Sequence, residues 1–166
     1  MAERNLYPLT ESLNTGLRYA VLGKAETLRH KGHVYKVWKA LKRFGATVYL
    51  VSSELKRWEG AKVYPDLASL QEKVDVVVPC RLPEEISDFV KEVVAAGAKQ
   101  IWFQEKTWTP EFQAQCEAMD IRVVRGCVLL HQTYKKPWGY LNPCFWHGLK
   151  AFKVPDNKFI SLKYRR

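Results

Sequence analysis

The sequence has few cysteines and no long apolar run. No segment approaches the roughly 18 consecutive apolar residues of a membrane-spanning helix, and residues 1–16 lack the apolar core of a signal peptide. The four cysteines are scattered, without the dense spacing of a secreted disulfide framework. We therefore expect a soluble, cytoplasmic protein with reduced thiols and no membrane partner.

Acidic residues are nearly absent from residues 134–166, which hold eight Lys/Arg and only Asp156, a net +7 of the chain's +10. Aromatic residues interleaved with these cations suit nucleic acid, where phosphates meet cations and rings stack on bases. In the alternative that we favour, the rings pack on the protein and lysine stems cover apolar surface. We predict a domain of residues 1–133 and a basic aromatic extension of residues 134–166, packed on that domain or on a second subunit of a homo-oligomer.

Short apolar runs alternate with amphipathic segments along most of the chain. The runs lack polar alternation, as in strands buried on both faces of a parallel sheet. They predict a doubly wound, Rossmann-like α/β parallel sheet of five to six strands, with helices on both faces and strand order 3-2-1-4-5-6. The predicted strands are residues 19–22, 47–51, 74–78, 100–103 and 121–124, with a short edge strand at 63–64.

The helices between these strands have recognisable ends. The first buries one face of residues 34–41 and stops at Gly45. The second begins with proline and two acids and covers residues 83–97. The third is capped by Thr109, with an inward face that ends at Met119.

Ligands of such sheets bind beyond the carboxyl ends of the strands, where the strand order reverses. Here that point lies between the loop after residue 22 and the loop after residue 78. Gly23 permits close approach of the backbone, and the amides near His33 and Val34 begin a helix, so phosphate is the expected guest. Further donors in this loop are Lys24, Arg29, His30 and Lys31.

Two features of the sequence discriminate among nucleotides. The dinucleotide fingerprint is absent, because no glycine occurs between Gly23 and Gly32, and this disfavours NAD. The second strand is followed by Ser52, Ser53 and Lys56. Hydroxyls and cations there favour a ribose with an extra phosphate, as in coenzyme A or NADP, while nearby Glu54 leaves plain ribose open.

Six segments carry a family resemblance: YAVLGKA, YKVWKAL, GAKVYPDLASL, VDVVVPCRLPEEI, GAKQIWFQ and GCVLLHQ. In order and spacing they resemble the small bacterial and archaeal coenzyme A-binding proteins with a Rossmann-like fold, related to the coenzyme A-binding domain of succinyl-CoA synthetase. The resemblance covers residues 17–131. It implies pyrophosphate over Gly23, Lys24 and Ala25, adenosine near Ser52, Ser53 and Lys56, and a crevice closed by Pro79, Cys80 and Arg81.

From this resemblance we expect binding of coenzyme A or an acyl-CoA rather than turnover. An NADP-linked or other nucleotide-dependent enzyme and a nucleic-acid-binding regulator that uses the basic tail are the alternatives. The Cys80 thiol is interpreted as a small wall residue, with a mixed disulfide to coenzyme A as the alternative. The spacing of Cys127, His131, Cys144 and His147 resembles a zinc site, although we predict no metal.

Overall fold

A computed structural model of the chain describes residues 14–80, 88–104 and 107–131. Asn14–Gly126 form one compact unit, and residues 127–131 belong to a second unit, in which Val128–His131 form a 3-10 turn. The helices and strands of the first unit are β1 (Arg18–Leu22), α1 (Ala25–Arg29), α2 (His33–Arg43), β2 (Thr47–Val51), β3 (Arg57–Trp58), β4 (Ala61–Tyr64), β5 (Val76–Pro79), α3 (Phe89–Ala95), β6 (Gln100–Phe103), α4 (Pro110–Ala118) and β7 (Arg122–Arg125).

Within the described residues, seven strands form one sheet in the order β3-β4-β2-β1-β5-β6-β7. All neighbouring pairs are parallel except β3 with β4. Without β3, the order is the predicted 3-2-1-4-5-6, so the doubly wound parallel sheet is confirmed. The extra strand β3 folds back through Glu59 and Gly60, both at positive φ (46° and 81°), as a tight hairpin turn requires.

The helix ends follow the sequence signals where the structure describes them. Gly45 follows α2 at φ 88°, and Gly97 follows the end of α3 at φ 84°, the left-handed conformation that glycine adopts without strain. The hydroxyl oxygen of Thr109 accepts a hydrogen bond from the backbone N–H of Phe112 at 3.3 Å and caps α4. The predicted start of the second helix, near residue 83, lies outside the described residues.

Two local predictions are wrong. The segment after Gly23, expected to be a loop, contains the short helix α1, whose Ala25 and Leu28 are fully buried. Met119, expected to point inward, is 38% exposed because α4 ends before it and Met119 is the C-cap.

Helices cover both faces of the sheet. On one face, the core joins α3 and α4 to alternate strand residues such as Ala20 and Ile101. On the other face, the rings of Tyr19 and Trp102 lie 6.4 Å apart, and α2 buries its apolar stripe. In the described part of the chain, no helix is long and apolar enough to span a bilayer.

The amino ends of β1 and β5 are joined by a paired arginine and aspartate. Two nitrogens of the Arg18 guanidinium donate to the two carboxylate oxygens of Asp75, at 2.9 and 2.8 Å, and the backbone N–H of Arg18 donates to the same carboxylate at 2.8 Å. These hydrogen bonds hold the pKa of Asp75 below its usual value. At the amino edge of β1 and β5, Arg18 and Asp75 therefore satisfy each other.

Candidate functional site

The residues that follow β1, β2 and β5 are neighbours at the carboxyl edge. Gly23, Ser52 and Cys80 each donate their backbone N–H to the adjacent strand, at 3.2, 2.8 and 2.9 Å respectively. These bonds extend the ladder by one residue beyond each strand. Three of the predicted binding segments therefore meet at one place, beside the point between β1 and β5 where the strand order reverses.

Gly23 is in close contact with the first turn of α2. A Cβ atom on Gly23 would lie 2.3 Å from Cγ2 of Val34 and 2.7 Å from its Cβ, well inside van der Waals contact. Val34 as a whole is buried, so its side chain is packing for the end of β1 rather than a surface open to a ligand. The absent side chain of Gly23 lets the amino end of α2 sit directly beside the end of β1.

Helix α1 begins immediately after this glycine. Lys24 is its N-cap, with extended backbone, and is half-buried. Ala25 is fully buried, backbone included. Arg29 and His30 at the other end of α1 are exposed. The structure thus brings Lys24 and Ala25 to the carboxyl edge, with Arg29 a full turn further along.

His33, the first residue of α2, contacts a residue that the sequence prediction missed. Its Nε2 lies 3.2 Å from Oε1 of Gln104, which follows β6 and is only 3% exposed. The Gln104 amide nitrogen donates to the Trp102 carbonyl at 3.4 Å, which leaves Oε1 as the acceptor facing the ring. In this arrangement Nε2 of His33 is the donor, and Gln104 fixes the orientation of the imidazole. Two sequence signals mark Gln104: its position just after a buried strand, and its place as the last residue of GAKQIWFQ, one of the segments that carry the family resemblance.

The Ser52 hydroxyl is buried without a hydrogen-bond partner among the described residues. The residue is 5% exposed. Because Val51 points into the core beneath α3 and α4, strand alternation directs Ser52 toward the face of α2. Buried hydroxyls normally have a partner, so the missing partner of this oxygen marks the tip of β2 as a candidate binding position. The neighbouring Ser53 and Lys56 are exposed.

The end of β5 supplies a buried proline and a half-buried thiol. Pro79 is buried, and Cys80 is of intermediate exposure and not in a disulfide. By the same alternation, Cys80 points toward the face of α2, as does Gln104. Arg81 lies outside the described residues, as do Cys144, His147 and the His131 side chain of the zinc hypothesis.

Comparison with known proteins identifies the class to which this fold and edge belong. Residues 18–133, more than half of the chain, match the sequence family described as CoA binding domain. The chain therefore belongs to this family of coenzyme A-binding domains, and the family resemblance predicted from the sequence is confirmed. No curated protein matches the sequence.

Solved structures from archaea and bacteria share the fold. A conserved hypothetical protein from Pyrococcus furiosus is 26% identical with a TM-score of 0.61, over 70% of this chain and 99% of that one. A Thermus thermophilus protein is 25% identical with a TM-score of 0.64, over 76% and 96%. A dinucleotide-forming acetyl-coenzyme A synthetase from Ca. Korarchaeum cryptofilum is 19% identical with a TM-score of 0.53, over 64% of this chain and 25% of its own, and shows the fold alone.

Proposed function

We propose that this protein binds coenzyme A or an acyl-CoA at the carboxyl edge of the sheet and does not turn it over. The observation that carries the proposal is the row of Gly23, Ser52 and Cys80 on three adjacent strands, with the amino end of α2 packed against it. Membership of the coenzyme A-binding family supports the choice of ligand.

The pyrophosphate is proposed to lie over residues 23–25, where α1 and α2 both begin. Backbone amides at helix starts carry partial positive charge, and the half-buried Lys24 adds a full charge. His33 adds a ring nitrogen whose orientation is fixed by Gln104. The buried main chain of Ala25 and Val34 contributes shape to this end of the site, while Arg29 is a longer-range cation.

The adenosine end is proposed to lie over the tip of β2. Here the partnerless Ser52 hydroxyl offers a donor and an acceptor to the ribose. The exposed Ser53 and Lys56 suit the 3'-phosphate that distinguishes coenzyme A from its dephospho form. Pro79 and Cys80 are proposed to form the opposite wall, to which the sequence prediction adds Arg81 from outside the described residues. In this proposal Cys80 is a contact residue and forms no covalent bond.

Isothermal titration with coenzyme A, dephospho-coenzyme A, NADP and NAD in one buffer tests the proposal. We expect the highest affinity for coenzyme A and a loss of affinity without the 3'-phosphate. Lys56→Glu should weaken coenzyme A about tenfold or more, the effect of removing a charge-assisted contact and adding repulsion, and leave dephospho-coenzyme A little changed.

Lys99→Glu is the matched control, because Lys99 is also an exposed lysine but directly precedes β6 at the amino edge. It should leave both affinities unchanged. Equal binding of NADP and coenzyme A would favour a nicotinamide-linked enzyme instead. Absence of heat with coenzyme A, or a preference for NAD, would reject the proposed site.

A further inference from the structure

The solvent face of α2 is entirely cationic apart from one tyrosine. Lys36, Lys39, Lys42 and Arg43 occupy it, and the helix contains no acid. At 100° per residue these four side chains fall within about 120° of the helix circumference. We call this surface the α2 cationic face.

Little in the described structure neutralises this face. Glu59 of the β3-β4 turn forms an ion pair with Lys39 at 2.6 Å, and no described acid pairs with Lys36, Lys42 or Arg43. Cations three and four positions apart on a helix repel one another and destabilise it. The clustered cations of α2 thus reduce its stability, and a bound polyanion would neutralise them.

The positive charge is concentrated in this part of the unit. Residues 29–62 contain nine Lys/Arg and two acids, a net charge of +7. The remaining described residues contain seven Lys/Arg and nine acids, a net charge of −2. A surface so polarised attracts polyanions and orients them toward one side of the molecule.

The aromatic rings of α2 indicate which polyanion fits. Trp38 is only 1% exposed, and the ammonium groups of Lys39 and Lys42 lie over its ring at 5.5 and 4.6 Å from the centroid. Lys39 also lies over Tyr35, at 5.6 Å. Trp38 is therefore closed to base stacking, on which single-strand binding depends, and Tyr35 is half-buried with its hydroxyl donating to Glu59. The face therefore offers four cations to phosphates and no fully exposed ring to bases.

We propose that the α2 cationic face binds the phosphate backbone of double-stranded nucleic acid without reading its sequence. Lys36 and Arg43 are separated by seven residues, about 10 Å along the helix, a length over which duplex DNA carries about six phosphate charges. The face starts one turn beyond His33, so it adds to the proposed coenzyme A site and does not use its residues.

Fluorescence anisotropy of a labelled 20-base-pair duplex, titrated with the full chain between 50 and 200 mM salt, tests this inference. The variant Lys36→Gln/Lys42→Gln/Arg43→Gln removes three charges and keeps a polar side chain at each position, including position 42 over Trp38. We expect the slope of log affinity against log salt to fall in magnitude by about 2.7, the release of counterions from three phosphates. DNA and RNA duplexes should respond alike.

The matched control Lys73→Gln/Lys91→Gln/Lys99→Gln removes the same net charge from exposed lysines outside residues 29–62. It should leave the slope within about one unit of the wild-type value. An equal decrease of the salt slope in the two triple variants would mean that only net charge matters. An unchanged slope in the α2 variant would mean that α2 does not contact the duplex. Either result overturns the proposal. Tighter binding to single strands, or no binding to duplex at 50 mM salt, also overturns it.

Thermal melting and coenzyme A titration of both variants separate this inference from the proposed function. Both variants should melt cooperatively and retain wild-type affinity for coenzyme A. Failure of the wild-type protein to bind coenzyme A would reject the ligand site and leave the duplex measurement intact, because the substituted residues are not among those assigned to that site.

Discussion

Gly23→Ala is the most informative single substitution, because its consequence follows from the close packing of Gly23 against Val34. The new methyl group would lie 2.3, 2.7 and 2.9 Å from three side-chain atoms of Val34. Those atoms belong to a β-branched side chain with one strongly preferred rotamer in a helix, so it cannot swing away. Relief requires the amino end of α2 to move away from β1 by about 1 Å, since ordinary contacts begin near 3.4 Å.

Two effects of this displacement are measurable. Overpacking of this kind costs about 1–3 kcal/mol, which lowers the melting temperature by about 2–12 °C in a chain of this size. The start of α2 also supports the proposed phosphate site, and losing one hydrogen bond to a charged group costs about 1.5–3 kcal/mol. Affinity for coenzyme A should therefore fall about tenfold to hundredfold.

Gly45→Ala separates the steric effect from a general cost of replacing glycine. A Cβ at Gly45 meets nothing within 4 Å, but the residue has φ 88° and alanine is strained there, at a cost of about 1–2 kcal/mol. This variant should lose stability and keep wild-type affinity for coenzyme A. Wild-type melting and affinity in Gly23→Ala would refute the close packing of Gly23 on Val34 and its role in positioning the site.

Two further predictions concern groups away from the site. Asp75→Asn should lower the urea midpoint at pH 7, and the difference from wild type should shrink as pH falls. The folded-state pKa of Asp75 is lowered by hydrogen bonds from Arg18, so its contribution is present above the unfolded pKa of about 3.9 and lost as pH falls through the lowered value. A difference that does not shrink as pH falls below about 3.9 would contradict the pairing. Burial raises the pKa of the Cys116 thiol to about 11. Cys116 should therefore resist a thiol reagent at pH 8 in the native protein and react on unfolding, which mass spectrometry of the modified peptide would report. Rapid labelling of the native protein would show that the helix carrying Cys116 opens.

The strands and their order were predictable because each strand is buried on both faces. Residues 47–51 and 100–103 match the observed strands residue for residue, and the others are displaced by one or two residues. A buried parallel strand needs a continuous apolar run, which is a signal independent of its neighbours. The right-handed crossover rule then restricts the order of the strands.

The elements that were missed are those with weak local signals. Helix α1 has five residues, too few for an apolar stripe to show its period. Strand β3 has two residues, and its turn is Glu-Gly rather than the Asn-Gly or Asp-Gly that mark a tight hairpin. The inward position assigned to Met119 assumed that α4 continues for another turn.

The proposed binding residues were only partly accessible to sequence reasoning. Gly23 and Ser52 each directly follow a predicted strand, and the position just after β6 likewise points to Gln104. Cys80 follows the strand predicted at 74–78 after Pro79, and its place in the crevice was implied by the family resemblance. The sequence analysis assigned Gly23 to close approach between the backbone and a ligand, whereas the structure shows Gly23 against the side chain of Val34, eleven residues away, a contact that no local pattern reveals. Similarly, the basic tail is evident in the sequence as a run of cations. The cations of α2 are spread along the sequence and lie on one surface only in the folded helix.

The two edges of the sheet differ in how fully their polar groups are satisfied. At the amino edge, the Arg18 guanidinium satisfies the Asp75 carboxylate and holds β1 beside β5. At the carboxyl edge, the buried Ser52 hydroxyl has no partner among the described residues, and Gly23 has no side chain to separate β1 from α2. Unsatisfied polar groups and glycine both reduce stability, and their occurrence together at the point where the strand order reverses is what the proposed ligand site would explain. Helix α2 connects this edge to the α2 cationic face, because its first turn packs against Gly23 and its later turns carry the cations.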